Sequence, residues 1–258
     1  MWGTPTLLKV DDERTDLVML VAREVWGIDP ESGKLRWYRP VTDSGQAYTS
    51  VILDQRQLFA FSGDGSVSLE VSTENESPTI ESVWKSRVNT VYSSPVRHQS
   101  KLYLVARGVL SILDAETGKR LGQIRLKDAR ETGGPFGSLD YASPVVVGDR
   151  LFYLNASGQM FVYQLADDLK LLATNEITTD QELFWGSPAV SSGRMVFRST
   201  THLYCVAAKG KLAPENGLSA ANMPIEVGEP PRSRQQIDET GTEQSTRSER
   251  PLRPKPFR

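Results

Sequence analysis

The stretch Tyr141-Ala142-Ser143-Pro144-Val145-Val146-Val147-Gly148-Asp149-Arg150-Leu151-Phe152-Tyr153-Leu154-Asn155-Ala156-Ser157-Gly158-Gln159-Met160-Phe161-Val162-Tyr163-Gln164-Leu165 decides the fold. Its apolar residues come in short bursts separated by Gly148-Asp149 and Ala156-Ser157-Gly158. That is the pattern of hairpins, not the 3.6-residue stripe of a helix. Asp167-Asp168 then turns the chain into a fourth burst, Leu169 to Ile177. Four strands of ordinary length, joined by turns whose Gly and Asp tolerate the backbone angles required, make one antiparallel sheet.

The opening of this unit recurs along the chain. Trp2-Gly3-Thr4-Pro5, Tyr48-Thr49-Ser50-Val51, Tyr92-Ser93-Ser94-Pro95, Tyr141-Ala142-Ser143-Pro144 and Trp185-Gly186-Ser187-Pro188 are five copies, spaced by 46, 44, 49 and 44 residues. A period in the forties suits a four-stranded propeller blade. The other periods carry similar bursts, among them Val18 to Ala22, Leu58 to Phe61, Leu102 to Ala106 and Met195 to Arg198. The expected fold is all-β: a β-propeller of four-stranded antiparallel blades at approximately 2–39, 48–85, 92–126, 141–177 and 184–208. About five blades are visible, and no helix is expected before Ala208.

Between the third and fourth strands of the first period stands Trp26-Gly27-Ile28-Asp29-Pro30-Glu31-Ser32-Gly33-Lys34-Leu35-Arg36-Trp37. The third period has Leu113-Asp114-Ala115-Glu116-Thr117-Gly118-Lys119-Arg120-Leu121, with Gly122 where the tryptophan would stand. These two stretches resemble the repeat signature of pyrroloquinoline-quinone-like propellers, over roughly residues 2 to 208. In physical terms, Asp29 and Asp114, with Ser32 and Thr117, bond the backbone of a tight turn, and Gly33 and Gly118 take its left-handed position. Trp37 and Trp84, at comparable ends of the first two blades, are expected to cover the gaps between neighbouring blades and not to stack on a ligand.

The resemblance implies either quinone-dependent alcohol dehydrogenases or non-enzymatic scaffolds of the outer-membrane assembly BamB type. Related repeats also serve as sensor domains on bacterial Ser/Thr kinases. Fold alone does not choose among them. Family propellers usually close with seven or eight blades, so the resemblance also implies an incomplete propeller with blades missing N-terminally, Met1 lying inside a repeat signature. The fifth blade offers at best three residues for an outer strand before Pro214, and an open arc would leave a sheet edge and an apolar face uncovered.

Composition narrows the function classes. Thirty basic and thirty-two acidic residues among 258 give a net charge of −2, with no electrostatic reason to expect nucleic acid. A single cysteine, Cys205, excludes an internal disulfide framework and a multi-thiolate zinc site. It is expected to be a packed strand residue. No signal peptide and no stretch of membrane-spanning length is present, so a periplasmic or envelope location is implied by the resemblance alone. From about Lys209 the chain turns polar and proline-rich, and 209–258 is expected to be a disordered tail.

Candidate chemistry is sparse. Adjacent cysteines of the kind many quinone enzymes place against their cofactor are absent, no residue matches the cofactor pocket, and no catalytic or metal-binding position is assigned. Pyrroloquinoline quinone and calcium are expected only if the dehydrogenase alternative holds. Ser62-Gly63-Asp64-Gly65-Ser66 reads as a hairpin turn and Asp11-Asp12-Glu13 as a solvated loop. His98 is placed in a turn and His202 just before the strand at Leu203, and neither is expected to have a serine-plus-acid or metal-ligand grouping nearby. The longest inter-blade insertion, Lys127 to Leu139, holds Gly133-Gly134-Pro135-Phe136-Gly137, the expected recognition loop. The reading that results is a non-catalytic scaffold whose partner is a protein or an extended peptide, bound at blade loops, the central face or an exposed sheet edge.

Overall fold

A computed structural model describes residues 3–43, 45–72, 79–130, 140–166 and 168–207. The chain divides into two compact units, Met1–Ala213 and Pro214–Arg258, and all described residues belong to the first. The expected tail and the loop Gly133 to Gly137 lie outside the described residues.

Nineteen strands and no helix make up the described fold, grouped in five antiparallel sheets whose neighbours follow chain order. Blade 1 holds β1 (Thr6–Lys9), β2 (Thr15–Val21), β3 (Glu24–Ile28) and β4 (Leu35–Pro40); blade 2 holds β5 (Ile52–Asp54), β6 (Gln57–Phe61), β7 (Ser66–Ser72) and β8 (Thr79–Ser86). Blade 3 is β9 (Val96–His98), β10 (Lys101–Ala106), β11 (Val109–Asp114) and β12 (Arg120–Arg125). Blade 4 is β13 (Val145–Val147), β14 (Arg150–Leu154), β15 (Gln159–Gln164) and β16 (Lys170–Glu176). Blade 5 has three strands among the described residues, β17 (Ala189–Ser191), β18 (Arg194–Arg198) and β19 (Leu203–Ala207). His98 ends β9, and the turn expected there begins at Gln99, whose φ is 53°.

Both faces of the inner blades are covered, so their middle strands read as near-continuous apolar runs: Gln159–Gln164 is buried at every position but the last. Separate clusters fill the gaps between successive blades. Leu8, Val18 and Leu20 meet Leu58 and Leu69 between blades 1 and 2. Phe59, Phe61 and Trp84 meet Leu102 and Leu113 between blades 2 and 3, and Tyr103 and Leu110 meet Tyr153 and Phe161 between blades 3 and 4. Leu154 and Met160 meet Phe184 and Phe197 between blades 4 and 5. Among the described residues no apolar cluster joins blade 5 to blade 1.

Each four-stranded blade carries one irregularity in its outer hairpin, at Gly27/Ile28, Ser68/Leu69, Ile112/Leu113 and Val162/Tyr163. The extra residue on the outer strand is Arg36, Val83, Leu121 and Leu172 in turn, and the residue after it is Trp37, Trp84, Gly122 and Ala173. A bulge of this kind breaks the alternation of side chains, so the extra residue is pushed outward and the next one re-aimed. Val83, Leu121 and Leu172 are accordingly exposed apolar residues on the rim.

Candidate functional site on the axial face

The recurring signature builds the centre of the molecule. In an extended segment residues i and i+2 share one side and i+1 and i+3 the other. Thr49, Ser93 and Ala142 at the second position are buried, as are Val51, Pro95 and Pro144 at the fourth. The first and third positions therefore line up from blade to blade.

At the third position a hydrogen-bond ladder runs across all five blades. The Thr4 backbone N–H donates to Ser50 Oγ (2.9 Å), Ser50 N–H to Ser94 Oγ (2.9 Å), Ser94 N–H to Ser143 Oγ (2.9 Å) and Ser143 N–H to Ser187 Oγ (2.8 Å). At the first position runs a row of rings. Tyr48 stacks on Tyr92 with centroids 5.4 Å apart, Tyr92 meets Tyr141 at 4.8 Å, and Tyr141 meets Trp185 at 6.2 Å. Ladder and row enclose a cavity of about 240 Å³. Trp185 ends the row and is 47% exposed. The hydroxyl hydrogens of the ladder serines remain available as donors, so the cavity offers hydroxyls beside flat apolar surface.

The signature turns are built alike. Asp114 Oδ1 accepts from the N–H groups of Glu116 and Thr117 and from the Thr117 hydroxyl, while Gly118, at φ 68°, donates its N–H to the Asp114 carbonyl (2.9 Å). Asp29 accepts from Glu31 N–H and from the Ser32 hydroxyl, with Gly33 at φ 69°. The Thr117 and Ser32 hydroxyls lead in holding the Asp114 and Asp29 carboxyls below their usual range.

The two tryptophans behave differently. Trp84 crosses to blade 3, where its indole N–H donates to the Ala115 carbonyl at 2.9 Å and its ring lies over Gly118. Trp37 folds over Gly27 of its own sheet and donates to Asp16 Oδ2 at 2.7 Å, while also packing against the apolar cluster between blades 1 and 2 as expected. The reason is electrostatic. Asp16 is fully buried and takes Arg14 through Nε and Nη2, Arg36 through Nη1, and the Trp37 indole. Burial is the largest influence on the carboxyl and pushes its pKa up, but these donors together bring it below the ordinary value.

Three other groupings appear only in space. His202 Nδ1 lies 2.6 Å from Glu182 Oε1, and the Tyr204 hydroxyl donates to Glu182 Oε2 at 2.9 Å, correcting the view that His202 has no acid nearby. Hydrogen bonds from Ser199 first, then Thr201, Tyr204 and His202, hold the Glu182 carboxyl down at about 2. Thr201 Oγ1 contacts the same ring nitrogen as Glu182, so the hydroxyl and the acid compete for one atom and do not form a nucleophile–base–acid relay. Asp64, in the expected hairpin turn between β6 and β7, accepts from the Ser62 and Thr42 hydroxyls, which lower its pKa to about 2. Asp140 accepts from the Tyr153 hydroxyl and from Gly108 N–H, tying the β10–β11 turn to blade 4. Cys205, expected to pack, is exposed: it pairs with Val196 in a row whose side chains point away from blade 4.

Among the described residues no cluster of three His, Cys, Asp or Glu side chains could hold a metal ion. Among the described residues the axial cavity is lined by hydroxyls and aromatic rings, with no carboxylate and no cationic side chain. A calcium-bound quinone carrying several carboxylates needs both, so this donor set does not fit pyrroloquinoline quinone. No helix among the described residues is long and apolar enough to cross a membrane.

This radial array of antiparallel sheets around an axial ladder defines a β-propeller. Residues 5–122 match the family model described as outer membrane protein assembly factor BamB. No curated protein matches the chain. Among solved structures, BamB from Moraxella catarrhalis superposes with a TM-score of 0.58 at 15% identity, covering 80% of this chain and 60% of that one. The Cps50 (Swd1) β-propeller domain of Myceliophteria thermophila gives 0.54 at 12% identity, covering 74% and 66%. These two likenesses concern the fold alone, and the chain spans 60% of the Moraxella protein's length. Residues 5–122 thus carry repeats similar to those of the pyrroloquinoline-quinone-like β-propeller family, and beyond them the likeness is one of fold.

Proposed function

We propose that this chain is a non-catalytic propeller scaffold that binds protein, in the form of an extended polypeptide segment, at the cell envelope, in a role of the outer-membrane assembly type. The observation that carries this reading is the axial row from Tyr48 to Trp185 beside the serine hydroxyls. Flat rings offer apolar contact at low entropic cost, and the hydroxyls are suited to peptide carbonyls. No cofactor enters this reading.

The test is selection of binders from a random peptide library on the full chain, followed by fluorescence anisotropy. Peptides that lose about tenfold or more in affinity with Trp185→Ala or Tyr141→Ala, while urea unfolding is little changed, support the reading. Failure to select any binder, or dye-linked alcohol oxidation on adding pyrroloquinoline quinone and calcium, overturns it.

A further inference from the structure

Three of the described tryptophans commit their indole N–H inside the protein: Trp26 donates to Glu24 Oε2 at 2.7 Å, Trp37 to Asp16 Oδ2 at 2.7 Å and Trp84 to the Ala115 carbonyl at 2.9 Å. Trp185, the last ring of the axial row, is 47% exposed and donates its indole N–H to no described residue. Tyr141 meets it at an interplanar angle of 59°, not in a stack, so an indole face is left unstacked among the described residues. The ladder serines are in a similar condition. Each Oγ accepts one backbone N–H, at 2.8–2.9 Å, and none of the four hydroxyls donates to a described residue. The described residues lining the cavity of about 240 Å³ include no carboxylate and no side-chain amide. Its uncommitted groups are therefore hydroxyl and indole donors, and the stronger acceptor types are missing.

A ligand that fits such a site brings acceptors, few donors and small apolar rings. A segment in β conformation carries an N–H at nearly every residue, and each one desolvated here without an acceptor is costly. A helix has its own N–H and C=O groups paired internally and offers few acceptors. A proline-rich segment in the polyproline II conformation meets all three demands: its carbonyls are unpaired, its prolines have no N–H, and its rings pack on aromatic side chains. It advances about 6 Å per two residues, comparable with the 4.8–6.2 Å between neighbouring ring centroids of the row. We propose that the axial row is a docking site for a proline-rich, polyproline II segment of another protein, with a proline ring on the exposed indole of Trp185 and peptide carbonyls accepting from Trp185 Nε1–H and the ladder hydroxyls. This inference rests on the scaffold reading above and assigns it a ligand class.

The experiment uses the full chain with fluorescein-labelled octaproline and, as control, a peptide of the same length that alternates Thr and Ala and so keeps every N–H. The expected result is saturable binding of octaproline by fluorescence anisotropy, about tenfold or more tighter than the control. Trp185→Phe keeps a ring and removes the indole N–H, and is expected to weaken binding about threefold or more. Trp185→Ala should weaken it about tenfold or more, with the urea midpoint little changed. Equal affinity for octaproline and the control overturns the polyproline assignment. Octaproline binding that survives Trp185→Ala lies at another surface and overturns the site, and Trp185→Phe binding as tightly as the parent chain overturns the indole contact. If octaproline fails to bind while library-selected peptides without proline bind and are lost with Trp185→Ala, this inference falls and the scaffold reading stands. Absence of binding by either class counts against both.

Discussion

The indole N–H of Trp84 donates to the backbone carbonyl of Ala115 at 2.9 Å, and its ring occupies the space a side chain on Gly118 would need, 2.5 Å from the position of a Cβ. One residue of blade 2 thereby clamps the signature turn of blade 3. Replacing Trp84 by Ala removes a large buried ring and leaves the Ala115 carbonyl without its partner, a loss of about 3–5 kcal/mol. Gly118→Ala is expected to cost about 2 kcal/mol from the left-handed backbone and the collision together. Urea unfolding of both variants checks this, and a loss below about half a kcal/mol at Gly118 would refute the clamp.

The ladder predicts a gradient. Ser94→Ala leaves the part-buried Ser50 N–H without an acceptor and is expected to cost about 1–2 kcal/mol. Ser187→Ala removes an exposed rung and costs less, since water replaces the lost oxygen. Equal losses at the two sites would contradict the geometry described.

Asp16 predicts an asymmetric outcome within blade 1. Asp16→Ala strands two guanidinium groups and the Trp37 indole, for an expected loss of about 2 kcal/mol after allowing for the partial exposure of both arginines. Trp37→Phe keeps most of the packing over Gly27 and gives up one hydrogen bond, so its loss should be nearer 1 kcal/mol. Denaturation midpoints of the two variants, compared at neutral pH, decide the order.

Acid sensitivity follows from the depressed carboxyls. Asp64 and Glu182 sit at about 2 in the folded chain, against ordinary values of 3.8 and 4.5. A group depressed on folding contributes its stability in full above its unfolded pKa and loses it as the pH falls through the folded one. Stability should therefore be flat above about pH 5 and decline between roughly pH 4.5 and 2. In Asp64→Asn and Glu182→Gln variants the decline should be shallower, as read from urea midpoints at a series of pH values.

Ser192 and Gly193 both have positive φ, 48° and 73°, in the β17–β18 turn. Asn tolerates that conformation better than Ser, so Ser192→Asn should raise stability by about 0.5–1 kcal/mol without touching the core. A thermal melt suffices to check it.

Blade spacing was legible in the sequence because each repeat carries its own register mark. The serine of the signature is both the motif and the rung, so intervals of 46, 44, 49 and 44 residues appear unchanged between ladder partners. The different fates of Trp37 and Trp84 were not legible: both follow a bulge in the same kind of strand, and Asp16, which captures one of them, lies 21 residues away. Glu182 and His202 are likewise 20 residues apart, joined by a turn geometry that composition does not reveal. The exposure of Cys205 depended on which of two strand faces looks away from blade 4, a choice that alternation alone leaves open.

Every rung of the ladder points the same way, from the amide of one blade to the hydroxyl of the next. The axial rung between blades is thus identical in kind and needs one residue from each side, so gain or loss of a whole repeat leaves a rung available at every surviving junction. Such a chain can change its length by duplication in units of one blade, and blade number becomes a heritable variable decoupled from the chemistry of the axis.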